Sequence, residues 1–157
     1  LDAATPGQGD KPARSTSDAY RRVLESLWLL DPVPVWELGG SQFTRLGRSP
    51  KHHLADPALA ARLLGLNEAK LLGTGGGPVG PEGKTVLGSM FESLATLWIR
   101  VAAQAAEADV GHLRTRNGDH EVDLVVIRED GDVLAIEVKA AGAADDGDAK
   151  HLQWLRR

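Results

Sequence analysis

Cysteine is absent from the chain, which excludes disulfides and thiolate metal sites and accords with a cytoplasmic location. No apolar stretch approaches the roughly 20 residues needed to span a bilayer, so no membrane role is expected. The N-terminus lacks a basic start followed by an apolar core, and so carries no secretory signal. It begins at Leu1 rather than Met, and a fragment of a longer protein is therefore expected. Excess basic charge is also missing. The formal net charge of -4 speaks against a general nucleic-acid coat protein, yet leaves room for a nuclease with an acidic centre. What is there, 42% hydrophobic and 25% charged residues, suits one ordinary globular domain or two small ones sharing a core.

Residues 1–14 are rich in Ala, Gly, Pro, Asp and Lys without apolar periodicity, which predicts a flexible leader. Residues 15–72 form a small helical region resembling part of a winged-helix module. Its first helix runs from Ser15, Thr16 or Ser17 to about Leu30, with Tyr20, Val23, Leu24, Leu27 and Trp28 on the core face. Asp31-Pro32 ends that helix, and Val33–Leu38 and Lys51–Leu54 read as short strands around a Gly39-Gly40 turn. Asp56 and Pro57 open a second helix, with Leu59, Leu63 and Leu64 inward and Gly65 closing it. A Gly- and Pro-rich loop follows over 73–85.

Residues 86–157 carry the stronger pattern. A helix is expected from Val86 to about Glu107, with Val86, Met90, Leu94, Leu97 and Val101 facing a core. Three strands are expected next, Val110–Arg116, Glu121–Arg128 and Asp132–Lys139, then a helix over Asp145–Arg157. Helix, three strands and helix predict an α/β (α+β) sandwich around a small antiparallel or mixed sheet. Gly83-Lys84-Thr85 imitates the end of a Walker A loop, but the glycine needed five residues earlier is Pro78, and no buried strand precedes it. Pro78 and Pro81 also remove amide donors that would cradle a phosphate. No nucleotide site is expected here.

The chemistry concentrates in Glu121–Ile127 and Val133–Lys139. Strand alternation places Asp123 with Glu121 on one face and Glu137 with Lys139 on one face, each opposite an apolar side. The loop Glu129-Asp130-Gly131 suits a three-residue hairpin, a type I turn followed by a left-handed glycine. That register sets Asp123 directly opposite Glu137, at the ~4.5–5.5 Å Cβ separation of cross-strand neighbours. A two-residue turn would send Glu137 to the other face. Two carboxylates so close call for a cation, and a hard divalent ion such as Mg2+ or Mn2+ suits them. Lys139, one pleat away, can orient a water or balance charge on a phosphate.

Asp123 followed by Glu137-Val138-Lys139 resembles the D…(D/E)XK signature of the PD-(D/E)XK nuclease superfamily. The resemblance implies a restriction-endonuclease-like core, metal held by Asp123 and Glu137, a catalytic role for Lys139, and hydrolysis of DNA. It also implies a further acid on the preceding helix, for which Glu92 in Gly88-Ser89-Met90-Phe91-Glu92 stands. The stretch from about Thr16 to Arg157 is similar to an uncharacterised family found behind AAA-type ATPase domains in bacterial and archaeal proteins. The segments that carry this are Ser49–Asp56 with Ala58-Leu59, Gly88–Glu92, Arg114–Arg116, Glu121–Asp123 and Ile136–Lys139. It implies an ATPase domain upstream and a last strand beyond Arg157.

Other residues carry weaker signals. Arg114 and Arg116 share a strand face and are candidates for phosphate contact. Gln153, with Lys150, is a candidate on the final helix. Adjacent His52 and His53 point apart in a strand and share no metal, and His112, His120 and His151 read as surface residues. Trp28, Trp36, Trp98 and Trp154 are expected in core or interdomain packing rather than as base-stacking platforms. The competing reading of the whole chain is a catalytically silent module that binds nucleic acid or a protein partner.

Overall fold

The computed structural model describes residues 13–37, 49–74, 81–115 and 117–156. The leader before Ala13, the Leu38 strand end with its Gly39-Gly40 turn, the middle of the Gly/Pro loop, Arg116 and Arg157 lie outside the described residues. The elements are α1 (Arg14–Ser26), β1 (Leu30–Val33), β2 (Lys51–Leu54), α2 (Pro57–Leu63), α3 (Glu68–Leu72), α4 (Pro81–Ala105), β3 (Asp109–Arg114), β4 (Glu121–Ile127), β5 (Val133–Ile136) and α5 (Lys150–Leu155). The result is a mixed α/β fold with two small antiparallel sheets, β1-β2 and β3-β4-β5.

Local chemistry accounts for several boundaries. Asp56 caps α2 by accepting the Ala58 N–H at 2.9 Å, with Pro57 at the first helical position, as expected. Asn67 caps α3 in the same way, and Gly73 ends it in the left-handed region. Other boundaries moved. Helix α1 starts at Arg14, inside the expected leader, and stops at Ser26, four residues before Leu30. Leu30-Asp31-Pro32-Val33 is strand instead, its Pro32 opposite His52. Helix α4 begins at Pro81, so Gly83-Lys84-Thr85 is helical, which removes the last likeness to a phosphate loop. Proline there occupies a helix start, where its missing N–H costs nothing. Strand β5 ends at Ile136, before Glu137 and Lys139. Helix α5 is shorter than expected because Asp145 accepts the N–H groups of Gly147 and Asp148, forming a turn where a helix was expected.

The β4–β5 register is the one the three-residue loop predicts. Leu124 pairs with Ile136 and Ile127 with Val133, Arg128 donates its N–H to Asp132 O at 3.0 Å, and Gly131 takes φ +90°. On its other edge, β4 is irregular. Gly111 pairs with Val125, but Leu113, two residues on, pairs with Val122, three residues back. Asp123 and Leu124 together therefore oppose the single residue His112, which is a β-bulge. The bulge breaks strict alternation and lets Val122 and Val125 enter one cluster with Trp36 and Leu113, covered by Leu152 and Leu155 of α5. Full burial of each such valine contributes roughly 1.5–3 kcal/mol.

The N-terminal strands do not stand apart as a wing. Val35 forms a parallel bridge with His112; the Trp36 N–H reaches His112 O at 2.7 Å, and the His112 N–H reaches Pro34 O at 2.9 Å. The chain thereby joins the β1-β2 pair to β3. Gly111 permits the approach, because a Cβ there would lie 2.9 Å from Trp36 Cβ.

The faces of the helices overturn the expected core. Among the described side chains of α4 the buried ones are Met90, Ser93, Thr96 and Ala103, while Leu94, Leu97 and Val101 are exposed. Ser93 Oγ accepts the Leu54 N–H, Arg100 pairs with Asp31 at 2.8 Å, and Glu92 pairs with Lys51. Those polar ties turn the small-residue face to the strands and the bulky stripe outward. Tyr20, Val23, Leu27 and Trp28 of the first helical region are likewise exposed, as are Leu59, Leu63 and Leu64. Val86–Ala105 is long and apolar enough to cross a bilayer by length and composition only, a property that the core helix of a soluble protein shares. Its two charges, Glu92 and Arg100, are both tied to β-strands by ion pairs.

Candidate functional site

The β-bulge re-aims Asp123, and the end of β5 supplies its first partner. Beyond Ile136 the ladder gives way, and the Val138 N–H donates to Asp123 Oδ2 at 2.9 Å in place of a backbone acceptor. Glu137 therefore stays beside Asp123 although it lies outside regular strand. Its side chain is only 8% exposed, its Oε2 receives Lys139 Nζ at 3.3 Å, and its Oε1 is buried without a hydrogen-bond partner. Lys139 itself is half-exposed.

A residue that the sequence did not single out completes the cluster. Lys51, on β2, points its ammonium at Asp123 Oδ1 (3.1 Å), Glu121 Oε1 (3.4 Å) and the carboxylate of Glu92. Helix α4 supplies Glu92, β4 supplies Glu121 and Asp123, and β2 is held against α4 and α1 by the Leu54–Ser93 bond and by His52–Glu25 at 2.9 Å. The structure thus brings Glu92, Asp123, Glu137 and Lys139 into one neighbourhood and adds Lys51 at its middle. Only its place in Ser49–Asp56 hinted at Lys51, since a lysine in a short strand is ordinarily a solvated residue.

Electrostatics separates the two central acids. Burial pushes Glu137 up, and the Asp123 charge adds to it, so that its carboxyl reaches about 7 against the pull of Lys139. Burial also works against ionised Asp123, but the Val138 amide and the Lys51 ammonium outweigh it and hold that carboxyl below its ordinary value. For Lys51, burial is outweighed by the hydrogen bond and charge of Glu92 and by Asp123, which raise it and keep the ammonium protonated. Two imidazoles sit close by. Both His53 and His112 are 5% exposed, which corrects the surface reading of His112. Burial, then Lys51, lowers both, His53 to about 4, so they are neutral at physiological pH.

The remaining candidates lie at the margin. Arg114 is exposed, with its Nε 3.9 Å from Glu121 Oε2, and lines an open cleft of about 410 Å³ with Val35, Ser49 and His112. None of the four carboxylates lines that cleft. Gln153 is exposed on α5. The neighbouring Trp154 stacks on His120 with centroids 4.1 Å apart, and His120 Nδ1 lies 3.3 Å from His151 Nδ1. Among the described residues, no three His, Asp or Glu side chains converge as a ready-made cation cage. The acids gather on an ammonium instead.

Residues 87–157 match the family described as "Domain of unknown function (DUF4143)". The match covers less than half of the chain, from α4 to α5, and takes in Glu92, Asp123, Glu137 and Lys139 but not Lys51. No curated protein and no solved structure matches the chain.

Proposed function

We propose that this chain is a divalent-metal-dependent nuclease-like domain of the PD-(D/E)XK type, with a restriction-endonuclease-like core, that hydrolyses phosphodiester bonds in DNA. The observation that carries the reading is that Asp123 lies close to a Glu137 carboxylate that is buried, flanked by Lys139 and left with one oxygen unpartnered. A buried oxygen without a donor is costly, and a hard cation satisfies it where no protein N–H reaches. Asp123 and Glu137 are the oxygen ligands that would hold such an ion, and Glu92 would complete the set once released from Lys51. Mg2+ or Mn2+ supplies a Lewis acid that polarises a phosphate and activates water.

The chain's own groups do the rest. Lys139, half-exposed beside Glu137, orients a water or balances charge on a phosphate oxygen. Arg114, on the cleft-lining edge of β3, offers a guanidinium to the DNA backbone. Coupling to an AAA-type ATPase domain rests on the resemblance of the chain, and a strand-bound Walker A motif upstream in the parent gene tests it. The reaction is tested with duplex, single-stranded and branched DNA in Mg2+ or Mn2+. Cleavage that EDTA, Asp123→Asn and Lys139→Ala each abolish is the expected result; cleavage that survives Lys139→Ala or Asp123→Asn contradicts the assignment.

One observation favours the second reading, a silent binding module. Trp28 is 85% and Trp98 69% exposed, and Leu27, beside the first, and Leu94 and Val101, on the helix of the second, are exposed as well. Apolar exposure on this scale marks a partner surface.

A further inference from the structure

Lys51 is separated from the acids it serves by 70 residues of chain or more in β4, yet it makes more ion pairs than any other lysine among the described residues. Its backbone is fixed, paired with Val33 across the β1-β2 ladder, with His52 and Leu54 tied to α1 and α4. Its four-carbon stem is the part that can move. We propose that the Lys51 ammonium is a resident counter-cation, seated among Glu92, Glu121 and Asp123, which a divalent ion must displace before these acids can hold it. The proposal rests on the metal-binding reading of the site and adds its regulation: the lysine sets a threshold of ion concentration below which the centre stays closed.

Three facts carry this. Glu92 and Asp123, two of the acids that would hold the ion, both contact this one ammonium, so lysine and ion compete for the same oxygens. The Lys51 side chain is only 24% exposed, so water screens its repulsion of an incoming cation poorly. Glu137 Oε1, buried and unpartnered, is an acceptor that the ammonium does not satisfy. Exchange of a single charge for a double one, with the stem swinging out to solvent, neutralises the acids more fully.

Two measurements test it on the whole chain. In calorimetric titrations with Mn2+, Lys51→Met is expected to bind about tenfold more tightly than the unsubstituted protein, the equivalent of one half-screened ion pair no longer broken on binding. Equal or weaker binding by Lys51→Met, while the unsubstituted protein binds in an Asp123-dependent way, overturns the proposal and leaves the metal reading standing. No uptake by either protein overturns both. The second measurement needs no variant: amine acylation followed by mass spectrometry should show Lys51 protected in EDTA and labelled several-fold faster at saturating Mg2+. Unchanged or slower labelling under conditions where the ion binds contradicts the displacement.

Discussion

Burial and the nearby Asp123 charge make Glu137 resist ionisation, and its pH signature follows. Its folded-state pKa, about 7, lies above the 4.5 of an ordinary glutamate, so between those values the folded protein holds a proton that the unfolded chain has lost. Stability contributed by this group is therefore present below about pH 4.5 and is lost as pH rises through about 7. Buried His53 acts in the opposite sense: it resists protonation until about pH 4, so its share of stability falls as pH drops below 6.5. The two overlap, and a variant separates them. Glu137→Gln should match the parent protein near pH 4 and exceed it in stability above pH 7 in EDTA, as read by urea unfolding; an equal gain at both ends would contradict the buried-acid account. The placement of Glu137 was legible in the sequence, because Glu129-Asp130-Gly131 fixes an odd loop and the odd loop fixes the face. Lys51 was not, since nothing in Lys51-His52-His53-Leu54 announces which distant acids a strand will meet.

At the scale of elements, polar ties and close approaches decided what apolar periodicity could not. The Leu94–Leu97–Val101 stripe reads as a core face by spacing alone, yet α4 turns Ser93, Thr96 and Ala103 to the strands, since Glu92, Ser93 and Arg100 each have a partner there. Hydrophobic spacing reports that a stripe seeks cover, not which neighbour provides it. The β-bulge at Asp123–Leu124 was equally silent, because it depends on how β4 meets the neighbouring strand at His112. Gly111 marks the joint between the two sheets, and Gly111→Ala must push Trp36 or the Pro34 carbonyl aside. A loss of roughly 1–3 kcal/mol is expected from such overpacking, visible as a lower urea midpoint; a neutral result would mean that the parallel bridge at Val35 is easily displaced.

Over the whole molecule, the small core and the wide apolar exterior give two classes of tryptophan. Trp36, 7% exposed in the central cluster, should cost about 3–5 kcal/mol when replaced by alanine. Trp98→Lys, at a 69% exposed position, should stay within about 0.5 kcal/mol of the parent. Chemical unfolding of the two variants checks both, and a large loss from Trp98→Lys would mean that the helix face is covered after all. Helix–strands–helix order and the β4–β5 register were readable from residues 86–157. Strict alternation was not, since Val122 and Val125 share one cluster and Leu134 is exposed, nor was the attachment of β1-β2, which depends on the backbone bonds at Pro34–Trp36. The site spans that joint, with Lys51 on one side and four acids on the other. Equilibrium dialysis against Mn2+ tests the central claim most directly: the parent protein should retain the ion and the Asp123→Asn, Glu137→Gln double variant, folded by circular dichroism, should not. Equal retention by both, or none by the parent, would contradict it.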